Sequence, residues 1–407
     1  MVEFYKIKST HGYGLSLNRE EHYICGQIEE ESTQTDQIFG FSFDDPSKSF
    51  FLISENCTVI KIHGEHYETK IYPLNCEFDA DHTVFLSHLK TDKFLSGAPV
   101  GGGNLFPHIA IDRYVSQGWE KFSLTKITPE IDEKLSLIIS LVEMAYKENF
   151  SEDVFFEILL LSNETCAPVI DLFYFFCGDL FFTSIADKVL KCHLTRNNLE
   201  KIYPADIWIN TALPDLVSWH ADRNRPRSSF LIGEEFDQIG KQSLKRGIPR
   251  FTHVLLCAIR RQINPRKKSC IVTTARNEGI YMLEWISHYK SIGFDHIFIY
   301  TNGNNDGSEE MLEILAENGI ITLIKNIVSE GVSPQSKAFI HAFSVLPDVL
   351  DYEWCLVADM DEFLLLNKSR LKNISDLLRK ISLQKTDWVA INWLFAASSE
   401  TDVLEKP

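Results

Sequence analysis

Short β-rich runs alternate with helical segments between Cys270 and Phe395, and this alternation restricts the fold more than any other feature of the chain. It is the signature of a parallel sheet with helices packed on its faces. A helix is predicted from about Gly279, and a later one starts with Ser333 as N-cap and Pro334 at its first position. The strands are predicted at 270–274, 296–300, 320–324, 354–357 and 388–392.

Polar clusters follow three of these predicted strands, at Ala275–Glu278, Asn302–Asp306 and Asp359–Asp361. Ligands of open α/β sheets bind beyond the carboxyl ends of the strands, so the clusters are expected to face one pocket. Alternate residues of an extended segment point the same way, which lets Asp359 and Asp361 share a divalent cation. Acids that merely face solvent are the alternative, and for an isolated Asp-x-Asp the commoner one. The chain lacks the Gly-x-Gly-x-x-Gly and P-loop patterns, which disfavours dinucleotide and P-loop folds.

Taken together, residues 273–278, 299–308 and 358–364 resemble the successive motifs of GT-A-fold glycosyltransferases, specifically family 2 and family 92 relatives with an Asp-x-Asp-Glu-Phe signature. The resemblance covers roughly the last third of the chain, and its specificity lies in the order and spacing of the motifs. It implies transfer of a sugar from a UDP- or GDP-sugar to a hydroxyl of a glycan or glycolipid acceptor, with inversion. A hexosyltransferase is the expected type.

The same resemblance implies roles for individual residues. Mn²⁺ or Mg²⁺ would be held at Asp359 and Asp361. The catalytic base stays unassigned, because the groups of the acceptor-binding half of such enzymes have no candidate before Pro407. Either the sequence is a fragment or a truncated product, or another chain or another part of this one supplies those groups. Asn302 and Gly303 also stand where relatives have an acidic pair. The nucleotide-sugar contacts would come from Thr274, Arg276, Asn277, Glu278, Asn302, Asp306, Gln335 and Lys337.

Residues 1–127 have a different sequence pattern, with many aromatic residues, short β-like runs and no helical periodicity. Three similar blocks begin near Phe4, Phe50 and Val84. A three-fold repeat in an all-β segment resembles a β-trefoil of the fascin-like type. Glycan binding by exposed loops such as 97–104 is one interpretation, and a scaffold whose aromatic residues are all core is the other.

Residues 128–267 are predicted to be a mainly helical spacer or interaction region, with amphipathic helices at 131–147 and 154–161. The aromatic run 170–182 is interpreted as one buried core helix, since charges interrupt it. The basic clusters 223–227, 260–261 and 266–268 are interpreted as solvated linkers. The predicted fold class is therefore multidomain: an all-β N-terminal domain, a helical middle region, and an α/β, Rossmann-like GT-A domain over 268–407.

The net charge of −17 argues against general nucleic-acid binding, because phosphate binding needs the opposite sign. Nine cysteines without a Cys-x-x-Cys pair indicate reduced thiols, and the N-terminus lacks the pattern of a signal peptide. A cytoplasmic protein is expected, with peripheral membrane association left open. The alternative to an enzyme is a non-catalytic carbohydrate- or protein-binding module with a truncated transferase domain.

Overall fold

The structure is a computed structural model of the 407-residue chain. It describes residues 2–27, 35–65, 68–98, 108–116, 118–224, 227–239, 250–367, 369–384 and 386–392. None of the helices in these ranges is both long and apolar enough to span a bilayer.

Strands alone make up the described part of residues 1–127, as predicted. They are β1 (Val2–Ser9), β2 (Gly14–Asn18), β3 (Ile24–Gln27), β4 (Thr35–Phe43), β5 (Phe50–Ser54), β6 (Ile60–Lys61), β7 (Glu68–Thr69), β8 (Ile71–Phe78), β9 (Val84–His88), β10 (Phe94–Ala98), β11 (His108–Arg113) and β12 (Lys121–Ile127). Most of the loop 97–104 that was considered for glycan binding lies outside the described residues.

Six of these strands form a closed ring. Antiparallel pairing connects β1 to β12, β12 to β9, β9 to β8, β8 to β5, β5 to β4, and β4 back to β1. The remaining strands pair as β2 with β3, β6 with β7, and β10 with β11. Leu52, Leu86 and Phe122 belong to the buried apolar cluster of this unit, so the alternating pattern of the strands covers a core of its own.

Helices dominate the middle region. They are α1 (Glu133–Lys147), α2 (Glu152–Leu160), α3 (Ala167–Phe176), α4 (Asp179–Lys191), α5 (His193–Ile202), α6 (Leu213–Ala221) and α7 (Phe251–Arg261). Asp132 caps α1 by accepting from the Leu135 amide at 2.7 Å, and Ser151 caps α2 in the same way.

The prediction of one helix over 170–182 is wrong, because α3 ends at Phe176 and α4 begins at Asp179. Cys177 and Gly178 between them have extended backbones. Glycine is a poor helix former, and an acidic residue at the first position after it favours a new helix start. The aromatic pattern shows burial but not this break.

The parallel sheet has the order β13-β16-β15-β14-β17, and all its pairings are parallel. Its strands are β13 (Ser229–Ile232), β14 (Lys267–Ala275), β15 (His296–Thr301), β16 (Thr322–Asn326) and β17 (Tyr352–Val357). The helices of this part are α8 (Gly279–Ser291), α9 (Ser308–Glu317), α10 (Pro334–Ile340) and α11 (Ile374–Ser382).

Three features of this sheet differ from the prediction. Strand β13 comes from the middle region, so the sheet begins before residue 268. Strand β16 starts two residues late, because the amide of Ile320 donates to the Leu315 carbonyl and closes the C-terminus of α9 at Gly319. The predicted fifth strand at 388–392 is absent, and Trp388 is 76% exposed. β-propensity needs a partner strand to take effect.

The middle region does not behave as a separate spacer, because one apolar cluster joins all three parts of the chain. It contains Phe41 and Phe51 of the N-terminal unit, Phe173 of α3, and Val272 and Tyr300 of the parallel sheet. The three regions therefore share a core in addition to their own packing.

The interpretation of the basic clusters as solvated linkers is wrong. Arg266 makes a two-point contact with Asp351, with Nε to Oδ1 at 2.8 Å and a terminal nitrogen to Oδ2 at 2.9 Å. Arg223 donates to the same carboxylate. Arg260 is 6% exposed and donates to the carbonyls of residues 343, 345 and 346. These arginines fasten the middle region to the parallel sheet.

Candidate functional site

The candidate site lies at the carboxyl ends of β14, β15 and β17. Ala275 at the end of β14 pairs with Thr301 at the end of β15, and Val272 pairs with Val357 at the end of β17. The three polar clusters follow these strands, so the sheet register brings them to one edge. This is the edge where ligands of open α/β sheets bind.

The loops after β14 and β15 are tied together by reciprocal hydrogen bonds. The Asn277 amide donates to Oδ1 of Asn304 at 2.9 Å, and the Asn305 amide donates to Oδ1 of Asn277 at 2.8 Å. Asn277 has a φ of +59°, a left-handed conformation that asparagine tolerates better than most residues. Its side chain therefore shapes the pocket edge before any ligand arrives.

Asp306 connects the second loop to the start of α8. Its Oδ2 accepts from the Gly279 amide at 2.9 Å, and its Oδ1 accepts from the Ser308 amide at 3.1 Å. The side-chain hydrogen bond from Ser308, followed by the bond from Gly279, lowers the pKa of Asp306. This carboxyl group is therefore held in its charged form.

The other predicted contacts of these two loops lie beside them. Thr274 and Asn302 are half-buried, whereas Arg276 is exposed. The guanidinium of Arg276 forms no ion pair with a carboxylate in the described part of the chain. Arg276 stands two residues before Glu278, so it is placed to meet a phosphate at this edge of the sheet.

The acidic turn, residues 358–364, carries the two candidate metal ligands. Strand β17 ends at Val357, and Asp359 and Asp361 lie in the turn beyond it. Both are exposed, and the fully buried Met360 between them anchors the turn to the core. Their placement thus depends on the turn rather than on strand alternation.

Helix α8 holds the acidic turn through side chains that the sequence analysis did not assign to the site. Nε1 of Trp285 donates to the carbonyls of Asp359 and Glu362, both at 2.9 Å. Oη of Tyr289 donates to the Glu362 carbonyl at 3.0 Å and accepts from the Leu364 amide at 3.1 Å. The helical spacing of apolar residues puts Tyr289 on the buried face of α8. That spacing does not reveal which backbone groups the rings of Trp285 and Tyr289 contact.

The pKa of Glu278 indicates that the three polar clusters lie close together. Burial raises the pKa of Glu278, and the negative charges of Asp361, Asp359 and Asp306 raise it further, against a hydrogen bond from the Arg276 amide. Acids from the other two loops are therefore close enough to Glu278 to disfavour its charged form. A bound cation or cationic group relieves such repulsion.

We expect the change Glu278→Gln to stabilise the protein at neutral pH in the absence of metal. An acid whose folded-state pKa is raised destabilises the fold when it ionises, so the variant gains stability as pH rises above the ordinary value of 4.5. Melting temperatures of the two proteins measured with EDTA at pH 4 and pH 7 test this. A larger difference at pH 4 than at pH 7 would contradict it.

Divalent-cation binding needs ligands beyond the protein. In the part of the chain that the structure describes, no group of three or more His, Cys, Asp or Glu side chains is arranged to hold a metal ion. Mg²⁺ and Mn²⁺ sites built on one or two carboxylates obtain their other ligands from substrate phosphates and water. Asp359 and Asp361 lie close to Glu278, whose pKa is raised. The two aspartates fit a site that takes its other ligands from substrate and water.

The last two predicted contacts lie on α10. Ser333 caps this helix by accepting from the Ser336 amide, as predicted, and Gln335 is exposed. Lys337 is fully buried, and its Nζ donates to the Gly233 carbonyl at 2.8 Å and to Oδ1 of Asp237 at 2.7 Å. Its amino group is thus already bound, and it joins α10 to the segment after β13.

Comparison with known proteins gives matches for this part of the chain. Residues 269–396 match the model of glycosyltransferase family 92. A glycosyltransferase family 92 protein of Oryza sativa subsp. japonica is 29% identical over 115 residues, which is 28% of this chain and 19% of the relative. One of Ricinus communis is 31% identical over 94 residues, 23% of this chain and 16% of the relative. The chain spans about a fifth of the length of these curated relatives.

Solved structures are less informative. A mosquitocidal holotoxin matches with a TM-score of 0.24 and 14% identity over 31% of this chain and 17% of the other. The Haemophilus ducreyi cytolethal distending toxin matches with a TM-score of 0.23 and 8% identity over 32% of this chain and 86% of the other. Scores this low carry no argument about fold or function. The family-model match begins within β14 and includes the acidic turn, so this part of the chain is similar to glycosyltransferase family 92.

Proposed function

We propose that the protein is a metal-dependent glycosyltransferase with a GT-A-type donor site. It transfers a hexosyl group with inversion from a UDP- or GDP-sugar to a hydroxyl group of a glycan or glycolipid. The family 92 match supports the reaction class. The observation that carries the proposed site is the sheet register, which brings the loops after β14, β15 and β17 to one edge, and the effect of Asp361, Asp359 and Asp306 on the pKa of Glu278 agrees with it.

Each cluster has a distinct role in this proposal. Asp359 and Asp361 would hold Mn²⁺ or Mg²⁺, which would supply positive charge beside the donor diphosphate. Arg276 adds a second positive charge beside the phosphates. Asn277 and Glu278 border the space for the base and ribose.

The remaining nucleotide-sugar contacts are proposed at the sides of the pocket. Thr274, Asn302 and Asp306 line the ends of β14 and β15, and the exposed Gln335 reaches toward the donor from α10. Lys337 contributes by holding α10 in place, since its amino group is bound to Asp237.

The transfer itself forms one bond and breaks another. The acceptor hydroxyl oxygen bonds to the anomeric carbon and its proton passes to a general base that stays unassigned, and the bond from that carbon to the diphosphate oxygen breaks with its electron pair leaving on the diphosphate. Donors placed where charge develops stabilise such a step most. The acidic turn is suited to this task because Trp285 and Tyr289 hold its backbone before substrate binds.

We propose further that the N-terminal unit is a β-trefoil. The support is the closed ring of six antiparallel strands, together with the three additional strand pairs β2–β3, β6–β7 and β10–β11. This is the number of pairs that a three-fold repeat requires. Fold alone does not assign it a ligand.

The donor site is tested by thermal unfolding with UDP, GDP and their sugars, with and without Mn²⁺. A ligand at one hundred times its Kd stabilises the folded state by about 2.7 kcal/mol, so we expect one nucleotide family to raise the melting temperature only when Mn²⁺ is present. The variant Asp359→Asn should lose the metal-dependent part of the shift. Absence of any shift with every nucleotide would favour the non-catalytic binding module.

A further inference from the structure

A second cleft lies far from the acidic turn, between the N-terminal sheet and the helices. It has a volume of about 520 Å³, within the roughly 300–1,000 Å³ of small-molecule sites. Its lining comes from the end of β5, the turn between β7 and β8, helix α1, the segment before α3, and the end of α5. Five separate parts of the chain therefore build one concave surface.

Three lysines converge on this cleft. Lys70 precedes β8, Lys134 lies in the first turn of α1, and Lys201 lies in the last turn of α5. Within the described residues, none of the three forms a salt bridge with a carboxylate. The chain has 57 acidic residues against 40 basic ones, so three unpaired lysines around one cleft are not what random placement favours.

The floor and rim of the cleft also suit a ligand. Cys57 and Ile138 are buried and form an apolar floor. Burial raises the pKa of the Cys57 thiol, the positive charges of Lys70 and Lys134 lower it, and the negative charge of Asp132 raises it again, so the two lysines and one aspartate act on the floor. Ser162 and Thr165 add hydroxyl groups, and Glu164 is the acidic residue of the lining.

We propose that this cleft binds a small anion that carries more than one phosphate group. Lysine is a compact point charge that suits phosphate oxygens, and three lysines on different elements can contact separate phosphates. One Glu against three Lys leaves the cleft positive within a strongly acidic protein. The proposal does not depend on the glycosyltransferase assignment, because the acidic turn contributes nothing to this cleft.

Isothermal titration with inorganic pyrophosphate tests the proposal. EDTA is present throughout, so that a metal at the acidic turn cannot supply the binding. We expect each of Lys70→Gln, Lys134→Gln and Lys201→Gln to weaken binding about tenfold, since hydrogen bonds to charged groups contribute about 1.5–3 kcal/mol. The triple variant should show no binding.

A second triple variant is the matched control. Lys48→Gln, Lys372→Gln and Lys380→Gln remove the same charge from exposed positions outside the cleft. This variant should bind pyrophosphate as the unaltered protein does. Equal weakening in both triple variants would overturn the proposal, because the effect would then come from net charge.

The phosphates could belong to a free molecule or to a lipid headgroup. Sedimentation with phosphatidylcholine vesicles, with and without phosphatidylinositol bisphosphate, distinguishes these two sources. Vesicle binding that the cleft variant loses and the control variant keeps assigns the cleft to a headgroup, whereas pyrophosphate binding without vesicle binding assigns it to a soluble ligand. If the unaltered protein binds neither pyrophosphate nor the vesicles, the proposal is wrong.

Discussion

Replacing Asp361 with asparagine is expected to lower the rate of sugar transfer by a factor of about 10²–10³ while leaving the fold intact. The change keeps the shape of the side chain and removes the charge that would hold the cation. Asp361 is exposed and the turn is held by Trp285 through backbone carbonyls, so no packing is lost. Steady-state transfer from a nucleotide sugar in the presence of Mn²⁺ is the measurement.

The variant Glu317→Gln is the matched control for this change. Glu317 is exposed at the C-terminus of α9, and helices that follow parallel strands end at the opposite edge of the sheet from the candidate site. It should transfer sugar at the rate of the unaltered enzyme. Full metal-dependent activity in Asp361→Asn would remove this residue from the proposed site.

Replacing Asp351 with alanine is expected to lower the free energy of unfolding by about 3–5 kcal/mol, because it leaves the largely buried Arg223 without its carboxylate partner. The Asp351 side chain is 6% exposed and accepts from both Arg223 and Arg266, whereas the Arg223 side chain is 13% exposed. These contacts join the middle helices to β17. Urea-induced unfolding at neutral pH measures the loss.

Glu353, two residues after Asp351 and within β17, provides the comparison. It pairs with Lys268 at 2.7 Å, but both side chains are solvent-accessible, so Glu353→Ala should cost only about 0–1 kcal/mol. Similar losses for the two variants would show that the Asp351 cluster contributes no more than a surface pair.

The effect of Asp351 should also depend on pH. Burial raises its pKa, but the hydrogen bonds from Arg266 and Arg223 outweigh burial, and the pKa lies below the ordinary value of 3.8. A depressed folded-state pKa contributes stability above pH 3.8 that disappears as pH falls through the folded value. The difference between the unaltered protein and Asp351→Ala should therefore shrink in acid.

Local signals in the sequence were sufficient for the helices and strands around the candidate site. Capping by Ser333 with Pro334 behind it, and the turn chemistry of 302–307, depend on neighbours in the chain. For the same reason the three polar clusters could be placed at strand ends. The strand predicted at 388–392 failed because a strand exists only where another strand pairs with it.

Charged residues were harder to interpret, because their burial depends on contacts distant in sequence. Arg266 meets Asp351 85 positions away, and Lys337 meets Asp237 100 positions away. Neither Asp351 nor Asp237 has neighbours in the sequence that distinguish it from an acidic residue facing solvent. The same holds for the hydrogen bonds of Trp285, whose acceptors lie 74 and 77 residues further on.

By itself, the sequence determined that strands and helices alternate in the last third of the chain and that acids and amides follow the strands, because periodicity and capping are set by adjacent residues. Only the tertiary structure decided that the acids after β14, β15 and β17 lie at one edge of the sheet, where Asp306, Asp359 and Asp361 raise the pKa of Glu278, and that arginines close the junction with the helices. The physical reason is that sheet register and burial bring distant charges together, and the energy of a charge depends on its surroundings rather than on its neighbours in the chain.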